Sequence, residues 1–272
     1  MDRSLRILVF GAHPDDCDAA AGGVAVMYAR RGHTVRFVSL TNGDAGHHAM
    51  GGVQLARRRQ AEAEAAGRIA GAEYLLMGNH DGELTASLEN RRLVISLMRE
   101  FRPDLVLAHR HDEYHPDHRA VGVLVQDASY LVGVPNILPL VPHLRRPPVI
   151  AHFASQYKNR VVSPEDLVVV GIDEAIEAKA DMMHCHVSQF YEWIPFNMGV
   201  SEQVPEGDAA RRQWLPSLFG RFADASVQQY RSQLVAAYGP ERAAQIRHVE
   251  AFEVSEYGAP LTAEGRKSLI PF

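Results

Sequence analysis

Two short segments of this chain concentrate histidine and aspartate at spacings that suit a metal ion. The first contains His13, Asp15 and Asp16, and the second contains His115 and His118. Imidazole nitrogens and carboxylate oxygens are common zinc ligands, and a catalytic zinc keeps three protein ligands and one open position. His13 and Asp16, three residues apart across a turn, can close on one ion. We predict that His118, from the other segment, supplies the third bond.

The residues beside these three ligands have the chemistry that hydrolysis requires. Asp15 would act as general base, because a zinc ion lowers the pKa of a water that it binds to about 7 and a carboxylate can then take the proton. A cationic His115 would stabilise an oxyanion, and Asp117 would orient an imidazole. The sequence therefore predicts a metal-dependent hydrolase.

Each segment taken alone also has a purely structural explanation. A His-Pro-Asp-Asp sequence is typical of a helix start, where Asp15 or Asp16 would serve as the N-cap. The two segments carry more weight together, because each follows a predicted buried strand, residues 5–10 and 104–108. In a doubly wound sheet the first and fourth strands are neighbours, and ligands bind beyond their carboxyl ends.

The elements around these segments alternate between strand and helix. Further strands are predicted over residues 34–40, 73–77, 149–153 and 167–171, and helices over 19–31, 55–70, 88–101, 119–130 and 173–188. This order predicts an α/β fold, a Rossmann-like doubly wound and mainly parallel sheet with helices on both faces. A loop-rich cap or insertion over residues 190–226, a helix at 228–237 and a strand at 248–254 form a C-terminal elaboration. We predict one domain over residues 1–272.

Three further residues are predicted to bind substrate. Arg59 and Asp81 follow the second and third strands and would reach the same crevice, although an exposed helix charge and a turn aspartate fit the pattern equally well. Tyr114 precedes His115 and would either contact substrate or pack against the protein. We predict that His109 lies near the site without binding the metal, or at the surface, because three ligands are already assigned.

Composition excludes several classes of protein. The 272 residues include 28 Lys and Arg against 33 Asp and Glu, a net charge of −5 without a basic stripe, which argues against a nucleic-acid binder. Two cysteines cannot form a disulfide framework or a cysteine-rich zinc module, and this predicts a reducing, cytoplasmic compartment. No apolar stretch is long enough to predict a membrane span. The oligomeric state stays open, a homo-oligomer included.

The motifs together resemble the PIG-L/LmbE-like family of zinc-dependent de-N-acetylases. The first family motif matches residues 12–18 with a glycine pair at 22–23, and the second matches residues 115–118. The resemblance extends over residues 5–190 and departs from the family at Asp18, where glutamate is usual. Its other matches are Thr41-Asn42-Gly43, Arg59 with Glu62, Asp81-Gly82, Lys179, and His186 with Ser188-Gln189.

The resemblance implies the same assignment of roles and adds a substrate class. Zinc would be held by His13, Asp16 and His118, with Asp15 as base and His115 as the acid that stabilises the oxyanion, supported by Asp117. The substrate would be a small amino sugar or glycoconjugate of the N-acetylglucosamine type, from which an acetyl or other N-acyl group is removed.

Three alternatives to this interpretation stay open. Two histidines and a carboxylate also suit Fe²⁺ or another divalent ion. A metal-dependent hydrolase that acts on a different amide substrate is the second alternative. A non-catalytic sugar- or nucleotide-binding module is the third alternative, although the dinucleotide fingerprint G-x-G-x-x-G is absent after the first strand.

Overall fold

Runs of apolar residues form one seven-stranded sheet in a computed structural model of the protein, which describes residues 3–154 and 163–272. The strand order is β3-β2-β1-β4-β5-β7-β6, and β7 runs antiparallel to both of its neighbours while all other pairs are parallel. The strands are β1 (Arg6–Gly11), β2 (Thr34–Thr41), β3 (Ala72–Asn79), β4 (Leu105–Ala108), β5 (Val149–Phe153), β6 (Leu167–Gly171) and β7 (Val249–Gly258).

Ten α-helices within the described ranges connect and follow the strands. They are α1 (Asp16–Arg30), α2 (Gly52–Ala70), α3 (Leu88–Phe101), α4 (Pro116–Leu131), α5 (Ile176–Cys185), α6 (Ile194–Asn197), α7 (Asp208–Gln229), α8 (Arg231–Tyr238), α9 (Pro240–Gln245) and α10 (Ala263–Leu269). Of the helices in the described ranges, none combines the length and the apolar character that crossing a bilayer requires.

Helices cover both faces of the sheet because successive strand residues point to opposite sides. In β1, Ile7 and Val9 pack in a core with apolar residues of α1 and α2. Leu8 and Phe10 face the other way and pack with residues of α3 and α4. The predicted α/β fold with a mainly parallel sheet is confirmed, and so is the neighbouring position of β1 and β4.

Helix α4 begins three residues earlier than the sequence pattern predicted. Pro116 occupies the first helical turn, where its missing N–H and fixed φ are favourable. His115 is the N-cap residue, and its Nδ1 accepts a hydrogen bond of 3.2 Å from the backbone N–H of Asp117. Asp117 and His118 therefore lie in the first turn of a helix instead of in a loop.

The segment predicted as a loop-rich cap is largely helical. A π-helical turn spans Ser188–Trp193, α6 follows it directly, and α7 contains Pro216 in its interior. A π-turn changes the helical repeat and an internal proline interrupts it. These two features explain why a search for a 3.6-residue period missed the helices.

A buried ion pair ties the middle of α1 to β7 and α5. The carboxylate of Glu250 accepts hydrogen bonds of 2.8 Å from the backbone N–H groups of Gly23 and Val24. Lys179 donates to this carboxylate at 2.6 Å and to the carbonyl oxygen of Ala19 at 2.8 Å. Side chains from two distant elements thus fix the helix that begins at Asp16.

Candidate functional site

The first His-Asp segment forms the turn between β1 and α1. Asp15 is the residue before the helix, but its side chain makes no capping hydrogen bond. The backbone N–H groups of Ala12 and His13 instead donate to Oδ2 of Asp16, at 2.9 and 2.7 Å. The carboxylate of Asp16 therefore holds the turn, and that of Asp15 is left available for another role.

Three side chains with ligand-type atoms, from the two segments, meet at the carboxyl ends of β1 and β4. Nδ1 of His13 lies 3.3 Å from Nε2 of His118 and 3.4 Å from Oδ2 of Asp16. Oδ1 of Asp16 lies 3.4 Å from Nε2 of His118. Two ligands bound at about 2.0–2.1 Å to a tetrahedral ion are about 3.3–3.4 Å apart. Each pair of side chains therefore has a spacing that suits a zinc-sized ion, with Asp16 facing the two histidines through different oxygens, and we call these three residues the candidate metal site.

The second nitrogen of His13 faces two carboxylates. Nε2 lies 3.2 Å from Oδ2 of Asp117 and 3.2 Å from Oδ1 of Asp81. A proton on Nε2 is favoured by both carboxylates, and this tautomer leaves the lone pair on Nδ1 directed at the candidate metal site. Asp117 is completely buried and also accepts backbone hydrogen bonds from Gly82 and Leu84. Its carboxylate thus contacts the histidine of the other segment, whereas only its backbone N–H contacts His115.

Burial and neighbouring charges act in opposite directions on the two adjacent aspartates. Burial disfavours a charge on Asp16, but the imidazoles of His118 and His109 outweigh it and hold the pKa of that carboxyl well below its usual range. Burial raises the pKa of Asp15, Arg59 lowers it, and the charge of Asp16 raises it again. The carboxyl group with the lowered pKa suits a metal ligand, and the adjacent one with the raised pKa suits a general base.

His115 lies against the candidate metal site, with its ring in edge-on contact with that of His13 at 4.7 Å. Burial lowers the pKa of His115, and the neighbouring imidazoles of His13 and His118 lower it further. Together with the hydrogen bond that its Nδ1 accepts, this describes a neutral imidazole with its proton on Nε2. These surroundings favour the neutral form in the free protein, and the cationic role during the reaction stays a prediction.

His109 lies closer to the candidate metal site than the sequence predicted. It is 6% exposed, its Nε2 lies 3.1 Å from Oδ2 of Asp16, and its ring stacks on that of His118 at 3.8 Å. Burial lowers the pKa of His109 to about 4, so the imidazole is neutral. The one sequence signal was its position directly after β4.

The three residues predicted to bind substrate occupy different surroundings. Arg59 is 2% exposed and donates to the carbonyl oxygen of Gly43 at 3.1 Å, while its guanidinium lies 3.5 Å from Asp81 and 4.0 Å from Asp15. Arg59 is therefore packed against the carboxylates of Asp81 and Asp15. Tyr114 is 61% exposed, and its ring lies 5.1 Å from that of His118.

Comparison with known sequences relates the chain to sugar deacetylases. Residues 8–129 match the sequence model of the family described as "PIG-L: GlcNAc-PI de-N-acetylase". The chain is 29% identical over 208 residues to a diacetylchitobiose deacetylase of Thermococcus kodakarensis, covering 70% of this chain and 74% of that protein. It is also 29% identical over 220 residues to a probable N-acetyl-alpha-D-glucosaminyl L-malate deacetylase 2 of Bacillus anthracis, covering 75% and 92%.

Comparison with solved structures shows the same fold in enzymes of different chemistry. The N,N′-diacetylchitobiose deacetylase of Pyrococcus horikoshii superposes with a TM-score of 0.69 at 24% identity, over 93% of this chain and 84% of that one. The 4-carboxy-2-hydroxymuconate hydratase GalB of Pseudomonas putida KT2440 has a TM-score of 0.71 at 20% identity, over 94% and 98%. The fold by itself does not distinguish a deacetylase from a hydratase.

Proposed function

Because residues 8–129 match the PIG-L family model, we propose that the chain is a member of this family. We propose further that it is a metal-dependent hydrolase that removes an N-acetyl or other N-acyl group from an amino sugar of the N-acetylglucosamine type. The observation that carries this proposal is the cluster of His13, Asp16 and His118 beside the carboxylate of Asp15, which makes no capping hydrogen bond. Both curated relatives carry deacetylase names, whereas the likeness to the hydratase is one of fold alone.

The residues that would hold the metal ion are those of the candidate metal site. Two imidazole nitrogens and one carboxylate oxygen suit Zn²⁺ and also Fe²⁺. The bound ion would supply Lewis acidity toward the amide carbonyl and the attacking water. Asp117 and Asp81 would act as positioning residues, because they fix the ring of His13 from its far side.

Asp15 would accept and then donate the proton that the reaction transfers. Its carboxylate takes a proton as water attacks the acyl carbon, and the same group then holds the proton that the departing amine needs when the carbon–nitrogen bond breaks. A pKa raised by burial suits both halves of this cycle. Arg59, 4.0 Å away, would keep the carboxylate oriented.

His115 would stabilise the negative charge that develops on the carbonyl oxygen. Its Nδ1 is occupied by the backbone N–H of Asp117, so the proton on Nε2 is the one available for donation. A neutral donor suits this role, since a hydrogen bond to an oxyanion does not require a full positive charge. Tyr114, exposed beside it, would contact the substrate at the rim.

The test of the proposed function is release of acetate from a panel of N-acetylated amino sugars by the metal-loaded protein. A deacetylase produces acetate and a free amine in equal amounts. A non-catalytic sugar-binding module would bind members of the panel without producing either. A hydrolase of another amide would load metal yet release no acetate from the panel, which would contradict the sugar assignment.

Removal of the metal is expected to abolish acetate release. Dialysis against a chelator should remove the ion and the activity together, and added Zn²⁺ or, without oxygen, Fe²⁺ should restore both. His118→Ala removes one of three ligands, so metal content and turnover should fall in parallel, as measured by elemental analysis and an amine assay. Full metal occupancy in the His118→Ala protein would contradict the ligand assignment.

Asp117→Asn is expected to weaken metal binding by about 10–100-fold, because an amide cannot stabilise the Nε2 proton of His13 as a carboxylate does. The measurement is competition with a fluorescent chelator. Asp127→Asn, on the same helix but paired with Arg91 at 3.1 Å, is the matched control and should bind metal as the wild type does. Equal affinity in both variants would mean that Asp117 does not position the ligand.

A further inference from the structure

A cavity of about 300 Å³ lies at the end of the sheet opposite to the candidate metal site. Its wall includes Asp104, which directly precedes β4, and Val149, the first residue of β5. The candidate metal site instead lies beyond the carboxyl ends of β1 and β4. Because the first and last residues of β1 are about 16 Å apart, a small molecule in this cavity would not reach the candidate metal site. We call this space the amino-end cavity.

Arginine supplies most of the charge around the amino-end cavity. Asp104 is the one carboxylate among its described lining residues, and four arginines line the cavity with it: Arg3, Arg102, Arg145 and Arg146. Arg3 forms an ion pair with Asp104, which also accepts the backbone N–H of Arg6 at 2.9 Å. The side chains of the other three arginines form no ion pair with any residue that the structure describes. The cavity therefore has a surplus of three positive charges in a chain whose net charge is −5.

The backbone on both sides of Arg145 and Arg146 is fixed. The N–H of Leu144, which is 8% exposed, donates to the carbonyl oxygen of Val132 at 2.9 Å. On the other side, the prolines at 147 and 148 restrict φ, and β5 begins directly after them. The two guanidinium groups are thus attached to an ordered segment, which lowers the entropic cost of holding them around a ligand.

Arg102 extends from a backbone conformation that arginine rarely adopts. It follows the last turn of α3 with φ 54° and ψ 60°, in the left-handed region. Its N–H donates to the carbonyl oxygen of Met98 at 2.8 Å, an interaction that glycine, the usual residue at such a helix end, forms with less strain. A guanidinium therefore lies beside the cavity at a conformational cost, and residues held in such conformations cluster at ligand sites.

The donors and the charge of the cavity define the class of ligand. A guanidinium presents several N–H groups in one plane, a geometry that matches the oxygens of phosphate. Three unpaired guanidinium groups match an anion that carries several charges better than they match a single carboxylate. We propose that the amino-end cavity binds a polyphosphate group, free or as part of a nucleotide. This inference goes beyond the proposed function and does not depend on it.

The test is isothermal titration calorimetry of the full chain at about 0.15 M ionic strength, where diffuse attraction between exposed charges is largely screened. The probes are pyrophosphate, ADP and adenosine. Pyrophosphate and ADP should each saturate one site per chain, and adenosine, which has no phosphate, should not bind. Both anions should bind equally well with and without the metal ion, because the cavity lies at the other end of the sheet. A higher affinity for ADP than for pyrophosphate would identify a nucleotide as the ligand, and an affinity no higher would identify the polyphosphate alone.

The double variant Arg145→Ala, Arg146→Ala should weaken pyrophosphate binding by at least about 10-fold, because it removes two of the three unpaired guanidinium groups. The double variant Arg57→Ala, Arg68→Ala is the matched control, since it removes two exposed arginines of α2 that form no ion pair with a described residue. The control should bind pyrophosphate as the wild type does. An equal loss in the two double variants would reveal diffuse charge attraction and overturn the inference.

Arg102→Gly separates ligand binding from folding at the third arginine. Glycine relieves the left-handed strain, so the melting temperature should stay the same or rise, while pyrophosphate binding should weaken by about 3- to 10-fold. Unchanged affinity in Arg102→Gly and in the cavity double variant, or binding of pyrophosphate only to the metal-loaded chain, would overturn the inference. Either result would leave the acetate-release test, and with it the proposed function, unaffected.

Discussion

Asp15→Asn is expected to retain its metal ion and to lose about 10²–10⁴-fold in kcat, the usual contribution of a general base. Asparagine preserves the size of the side chain but cannot accept a proton from water. Because the side chain of Asp15 makes no capping hydrogen bond, its replacement should not disturb the start of α1. The measurements are metal content per chain, the melting temperature and kcat on the best substrate of the acetate panel.

Asp16→Asn is the comparison that distinguishes the roles of the two adjacent carboxylates, metal ligand and general base. Asp16 accepts the backbone N–H groups of Ala12 and His13 and faces both histidines of the candidate metal site. Its replacement should therefore release the metal and lower the melting temperature, unlike that of Asp15. If Asp15→Asn lost its metal but kept near-normal turnover per bound ion, the two roles would be reversed.

The sequence predicted the site best where potential metal ligands follow the end of a strand. His13 and His118 are 105 residues apart, yet each follows a short buried strand, and a doubly wound sheet makes those two strands neighbours. Their approach to 3.3 Å is therefore a consequence of topology that residue types and order can predict.

Contacts between separate loops could not be read from residue order. The carboxylate of Asp117 turned toward His13 of the other segment, and Asp81 reached the same nitrogen from the turn after β3. Such contacts depend on side-chain directions that one register shift would change.

Glu250→Gln is expected to lower the free energy of unfolding by about 3–5 kcal/mol, because it breaks a buried ion pair. The change leaves the Lys179 ammonium, on a side chain 12% exposed, without its carboxylate partner. It also replaces one of two oxygens that accept the N–H groups of Gly23 and Val24 with an amide that donates. For a chain of this size the melting temperature should fall by roughly 6–20 °C.

Glu174→Gln is the matched control, because Glu174 pairs at 3.0 Å with Arg31, the residue that follows α1, but in an exposed position. Exposed pairs contribute about 0–1 kcal/mol, so its melting temperature should hardly change. Adding Lys179→Met to Glu250→Gln removes the unpaired charge and should recover part of the loss. Well below the transition, kcat of Glu250→Gln should remain close to that of the wild type, since the pair supports α1 and touches no substrate. Equal stability of the two single variants would show that this buried pair does not hold the helix that carries Asp16.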